Sequence, residues 1–174
     1  MSLCLENLLI IYSMQNNYNR ILHHEKLKTA LSSHSDKKVG FTNGCFDIIH
    51  AGHLKYLNEA KSLCNILVVA VNSDESVKRL KGGKRPIVTL GERMEVLAGL
   101  RSVDYVTWFN EDTPYNLIKF LKPDILMKGG DWPINKIIGS DIVLEAGGVV
   151  ESLSYKENVS TTDIIEKIID LFCK

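Results

Sequence analysis

The run Ile66-Leu67-Val68-Val69-Ala70-Val71 constrains the fold more than any other stretch of this chain. It has the length of a β-strand, it is mostly β-branched, and it offers no polar face to water, so both of its faces must be covered. A strand of that kind belongs inside a sheet with helices above and below. The surrounding pattern agrees. Strand-like segments recur at Val39–Asn43, Asp104–Trp108, Ile125–Met127 and Val149–Leu153, and helix-like segments lie between them.

The first of these helices is expected over residues 54–63, with Leu54, Leu57, Ala60 and Leu63 on one face. Thr89 with Glu92 three residues on predicts a capping box, opening a helix through Met94, Val96, Leu97 and Leu100. Thr113-Pro114 starts another, closed before Lys122-Pro123-Asp124. A short one spans 142–146 and ends at Gly147-Gly148. The last begins at Ser160, in capping-box spacing with Asp163, and is expected to turn Ile164, Ile165, Ile168, Ile169 and Phe172 inward. An amphipathic helix over 24–33 precedes them all, and the basic stretch VKRLKGGKRP at 77–86 reads as a flexible loop. Strands alternating with helices in units of about 30 residues require right-handed crossovers. The fold class is therefore α/β, a doubly wound, Rossmann-like open parallel sheet with helices on both faces. Such sheets bind ligands at the carboxyl ends of their strands, which points to the residues after Asn43, Val71, Met127 and Leu153.

Size and charge narrow the function. The 174 residues, 45% apolar and 24% charged, suit one domain over 38–174, with residues 1–37 as an N-terminal extension and short helix. Lys and Arg total 21 and Asp and Glu total 21, so there is no global field to hold nucleic acid or an anionic membrane. A local pocket for a small anion is still compatible with that balance. Cys4, Cys45, Cys64 and Cys173 lack the spacing of a zinc site or a disulfide framework, which suits a reducing cytoplasm. The opening MSLCLENLLIIYSM is interrupted by Glu6 and Asn7, has no leading basic residues, and is too short to span a bilayer. It reads as a loose extension, or as the product of an upstream start with Met14 the true beginning.

The chemistry concentrates after the first strand, in Gly44-Cys-Phe-Asp-Ile-Ile-His50-Ala-Gly-His53. Two histidines three apart at a helix start sit side by side, next to free backbone N–H groups and the positive end of the helix dipole. That corner suits phosphate, and Gly52 permits close approach to the backbone. The simpler alternatives are histidines that merely satisfy the helix start, or a zinc pair, for which no third ligand stands at useful spacing.

At these residues the chain resembles the cytidylyltransferase-like nucleotidyltransferases, whose signature G-x-F-D-x-x-H-x-G-H is met at every fixed position from Gly44 to His53. Gly91-Glu92-Arg93 and Ser160-Thr161-Thr162 match two further pieces in order. The strings TNGCFDIIHAGH, AVNSDESVKRLKG, RP, EDTP, KGGDW and STTDII are similar to the branch that makes ADP-heptose, a likeness running from about Lys38 to the C-terminus. It implies transfer of AMP from ATP to D-glycero-β-D-manno-heptose 1-phosphate, giving pyrophosphate and ADP-heptose for lipopolysaccharide core or another surface glycan. A CTP-dependent enzyme for glycerol phosphate or a similar alcohol phosphate is the alternative. Against it, Tyr155 stands where many of those enzymes carry an arginine. A non-catalytic nucleotide-binding module is the reading of a different class.

The resemblance implies roles residue by residue. His50, His53 and Arg93 are the catalytic candidates, with Arg93 also a candidate for a phosphate or structural loop contact. Thr42, Asn43, Gly44, Cys45, Phe46, Ala51, Gly52, Lys81, Lys84, Ser160, Thr161 and Thr162 are expected around the nucleotide, and Lys128 and Asp131 around the sugar phosphate. Asp47 is expected to bond backbone amides at the corner. Magnesium is expected to arrive with ATP, held by phosphates and water rather than by a protein cage. A homodimer is implied too, with Arg101-Ser102-Val103-Asp104 as a candidate part of its interface.

Overall fold

The computed structural model describes residues 19–130, 132–153 and 160–173. Its elements, in chain order, are α1 (His24–Ser32), β1 (Val39–Gly44), α2 (Ala51–Ser62), β2 (Ile66–Asn72), α3 (Asp74–Lys81), α4 (Leu90–Ala98), β3 (Tyr105–Phe109), α5 (Tyr115–Leu121), β4 (Ile125–Gly129), α6 (Ser140–Glu145), β5 (Val149–Leu153) and α7 (Thr161–Phe172). A single 3-10 turn, Ile134–Lys136, follows β4.

All five strands are parallel, in the order β3-β2-β1-β4-β5. The chain winds outward from β1 through β2 to β3, then crosses back to β4 and β5. The order therefore reverses between β1 and β4, and a crevice opens there at the strands' carboxyl ends. Every residue of β2 is buried, as its apolar run requires. One core layer joins Leu57, Ala60 and Leu97 from α2 and α4 to Leu67, Val69 and Val71. The other joins Leu27, Ile118 and Val143 from α1, α5 and α6 to Phe41, Val68 and Ala70. Leu27 is wholly buried, and Ile21 bridges Val106 at the sheet edge, so residues 21–32 pack on the same sheet as the rest.

Four expectations change. The basic stretch is not all loop: Ser73 caps α3 by accepting from Ser76 N–H, Asp74 and Glu75 occupy the first turn, and Lys78, Arg79 and Lys81 fill the last. Charges in that order complement the helix dipole. Only residues 82–88 form the connection to α4. Pro114 is the N-cap of α5, one place before the helix, and Lys122 closes that helix in the left-handed region at φ 52°. Ser102 and Val103 lie inside the subunit, and Asp104 accepts from Leu67 N–H and from Lys61 at 2.6 Å each, so of that stretch only Arg101 faces outward. The apolar face of α7 is not turned inward either. No residue of that helix is buried, and Ile168, Ile169, Leu171 and Phe172 are all about half exposed or more.

Thr107 is fully buried on β3, and its hydroxyl has no partner among the described residues. A buried, unpaired hydroxyl is destabilising, and valine has nearly the same shape without it. Thr107→Val is expected to stabilise the fold by about 1 kcal/mol, seen as a rise of about 2–4 °C in thermal melting.

Candidate active site

The strand-to-helix corner is built by backbone demands. Phe46 is held at φ 49°, a conformation uncommon for a non-glycine residue, with its side chain buried. Its ring folds back over Gly44, where a Cβ would lie 3.0 Å from it. Any side chain two places before the phenylalanine would press on that ring. Asp47 is buried and accepts from the N–H groups of Ile87 and Val88 at 2.8 and 2.9 Å and from Arg85 Nε. Burial alone would raise its carboxyl, but the two N–H donors and the Arg85 guanidinium outweigh that and hold it below the usual range. The expected corner contacts of Asp47 are thereby made, and they clasp the 82–88 connection to the histidine motif.

His50 is the N-cap of α2, and its Nδ1 accepts from Gly52 N–H at 3.2 Å. An accepting Nδ1 makes neutral His50 the Nε2–H tautomer, a donor. The rings of His50 and His53 lie 4.0 Å apart, and Phe46 packs 5.4 Å from His53. Burial, with His50 alongside, pushes the His53 imidazole down to about 4, and burial lowers His50 as well despite Asp163 nearby. Both rings are therefore neutral donors at pH 7.

This shift makes the fold pH-sensitive. Unfolded His53 takes up a proton near 6.5 and the folded residue only near 4, so between those values the unfolded chain binds more protons. The stability is fully present above about pH 6.5 and is lost as pH falls toward 4. Urea midpoints measured from pH 7 to 4.5 are expected to fall, and to fall less steeply in His53→Asn.

A cavity of about 590 Å³ opens at the crevice, within the range of small-molecule sites. It brings together Asn43, Gly44, Cys45, Phe46 and His53 from the corner, Lys81 from the end of α3, Lys128 from β4, and Ser160, Thr161 and Thr162 from the first turn of α7. These are most of the residues expected from sequence. Thr161 Oγ1 donates to Ile48 O at 3.4 Å, joining the start of α7 to the motif, while Ser160 and Asp163 form a reciprocal capping box. Ser160 thus has its plain capping role and faces the cavity too. Burial, with Lys81 nearby, lowers the Lys128 ammonium, although Cys45 works against the shift. The Cys45 thiol is raised by burial in spite of four surrounding cations.

Several expected residues stand elsewhere. Thr42 is wholly buried against Tyr56, their hydroxyls 2.5 Å apart, and does not line the cavity. Neither do His50, Ala51 and Gly52: the Gly52 N–H goes to His50 Nδ1 instead of remaining free for a ligand. Lys84 is exposed in the connection, and the cavity takes Arg85 in its place. Arg93 departs furthest. It is 1% exposed, and its guanidinium donates to Val88 O, Cys45 O, Asn72 O and the Asp74 carboxylate. With four donors committed to the protein, it makes structural contacts to the connection and the strand ends and does not line the cavity. Asp131 and Tyr155 lie outside the described residues.

Asn72 also lines the cavity, directly after Val71 where the strand ends pointed, while Leu80, Asp112-Thr113-Pro114, Trp132 and Lys136-Ile137-Ile138 complete a lining that the expected site residues do not include. Ser73 donates to Asn110, Ser76 to Glu111 O, and Arg79 pairs with Asp112 at 2.7 Å, which seats that loop on α3. Among the described residues, no three His, Cys, Asp or Glu side chains gather where they would hold a metal ion. No described helix is long and apolar enough to cross a membrane.

A family model described as cytidylyltransferase-like matches residues 41–167, a span that holds the histidine corner, the Arg93 hub and the first turn of α7. The chain belongs to the cytidylyltransferase-like family. It is 56% identical over 137 residues to the bifunctional protein HldE of Marinomonas sp. (strain MWYL1), covering 79% of this chain and 29% of that protein. With the HldE of Hahella chejuensis (strain KCTC 2396) it shares 56% over 147 residues, 83% of this chain and 31% of the relative. The chain thus spans about three tenths of these relatives' length. Among solved structures it is similar to the lipopolysaccharide core biosynthesis protein from Thermoplasma volcanium GSS1, with 28% identity and a TM-score of 0.57, over 71% of this chain and 99% of that one. The pantoate-beta-alanine ligase of Francisella tularensis, at 16% identity and a TM-score of 0.53, shares the fold.

Proposed function

We propose that the chain transfers AMP from ATP to D-glycero-β-D-manno-heptose 1-phosphate, releasing pyrophosphate and forming ADP-heptose for lipopolysaccharide core or another surface glycan. The observation that carries this is the convergence on one cavity of a neutral His53, Lys81, Lys128 and the N-terminal turn of α7. The resemblance to the ADP-heptose branch supplies the choice of substrates, and the identity to HldE proteins supports it.

The attacking sugar phosphate oxygen is already anionic at neutral pH, so no general base is needed. The protein has to align attacker, α-phosphorus and leaving pyrophosphate, and to stabilise the charge that grows between them. His53 and the Nε2–H of His50 are the donors for the α-phosphate oxygens, beside the positive end of α2. The α7 turn takes the outgoing phosphates, and Lys81 and Lys128 hold the acceptor's phosphate. Magnesium enters as part of the Mg-ATP substrate. The chain fits that arrangement because Asp47 and Asp112 are both paired with arginines, which leaves the ion to phosphates and water. The resemblance further supports a cytoplasmic homodimer, and sedimentation at micromolar concentration tests that assembly.

The test is pyrophosphate release with ATP or CTP against both anomers of heptose 1-phosphate, glycerol phosphate and ethanolamine phosphate. ATP-dependent turnover of the β anomer is expected. CTP-dependent turnover of an alcohol phosphate would replace the substrates and keep the mechanism. Nucleotide binding without turnover on any acceptor would make the chain a binding module.

A further inference from the structure

The cavity lining is mixed. Lys81, Lys128, neutral His53 and the α7 turn supply cations and hydrogen-bonding groups, while the segment after β4 adds Trp132, Ile137 and Ile138 together with Lys136. Trp132 is half exposed, and its backbone is pinned: its N–H is 3.0 Å from Ser152 Oγ and 2.9 Å from Gly130 O. Ser152 Oγ in turn donates to Gly130 O at 2.5 Å, and Gly130 N–H donates to Leu153 O at 2.9 Å. Gly130 has φ +104°, and a Cβ there would lie 2.9 Å from the indole Nε1. The glycine lets the indole edge lie close over the backbone.

An exposed aromatic ring on a pinned backbone, in a cavity that also carries lysines and hydroxyls, matches a molecule with a flat aromatic group and anionic groups. A nucleotide has that form. A sugar phosphate is hydroxylated throughout and gains less from such a ring. We infer that Trp132 is the stacking platform for the nucleobase of the bound nucleotide, and so a specificity residue for the donor substrate. The inference rests on the nucleotidyltransferase reading above. Aromatic stacking tolerates any base, so Trp132 sets how tightly a purine is held and leaves the discrimination of its edge to other groups.

The test uses the full chain. Trp132 is one of only two tryptophans, so ATP is expected to quench the intrinsic fluorescence of the wild type and to lose that effect in Trp132→Phe. Inorganic tripolyphosphate, which has no base, is expected to bind without quenching. Trp132→Ala is expected to raise the KM for ATP about tenfold, with kcat and the KM for the sugar phosphate little changed, and phenylalanine is expected to restore most of the loss. ATP binding seen by calorimetry without a Trp132-dependent fluorescence change would overturn the inference and leave the proposed function standing. So would a Trp132→Ala defect confined to the acceptor. Absence of ATP binding by calorimetry would overturn both.

Discussion

Arg93→Ala is expected to be the most destabilising single substitution in this chain, by about 3–5 kcal/mol. The side chain is wholly enclosed, and its removal leaves the Asp74 carboxylate without its cation and the carbonyls of Cys45, Asn72 and Val88 without donors. Those acceptors come from β1's end, β2's end, α3 and the connection before α4, so one guanidinium ties four segments around the cavity. For a domain of this size the loss corresponds to roughly 10 °C in melting temperature. Lysine supplies one charge and cannot reproduce the fork, so Arg93→Lys is expected to recover only part of it. Urea unfolding of the three proteins checks this. A midpoint for Arg93→Ala within experimental error of the wild type would show that the hub carries no stability.

His53→Ala is expected to leave the melting temperature nearly unchanged at pH 7.5 and to lower kcat by about 100- to 1,000-fold, as removal of a preorganised donor to a developing oxyanion does. The KM for either substrate should change little, because the bond strengthens as charge moves onto the α-phosphate oxygens. Single-turnover pyrophosphate release resolves the chemical step from product release. A loss below about threefold would exclude His53 from transition-state stabilisation. A large rise in KM with kcat preserved would make it a ground-state contact instead.

The strands were legible because burial on both faces leaves a mark on the sequence itself. Ile66–Val71 and Val149–Leu153 were placed within a residue of their observed ends. Caps were legible for the same reason, since Thr89–Glu92 and Ser160–Asp163 are local chemistry. Helix α3 was lost because dense basic charge and two glycines read as loop, although Ser73 followed by Asp74 and Glu75 was an N-terminal signature. The histidine corner and Lys128 stand directly after strand ends that topology pointed to, and the family resemblance added the α7 turn. The rest of the lining could not be located, because Pro114, Trp132 and Ile138 share a cavity only after crossovers that no local pattern reports. Arg93 was picked out correctly as a singular residue, but whether a guanidinium faces a ligand or three carbonyls is a matter of side-chain direction, which spacing does not encode. The apolar stripe of α7 shows the converse limit: periodicity identifies an amphipathic helix and does not say what covers it.

Strand β2 is paired on both sides and shielded on both faces. Its interior amides have no local route to solvent, so their deuterium uptake requires opening of the whole molecule. Protection along Ile66–Asn72 therefore serves as a built-in gauge of global stability. Adding a nucleotide that binds only the native state lengthens that protection by the factor 1 + [L]/Kd, and a ligand panel can be ranked without any turnover.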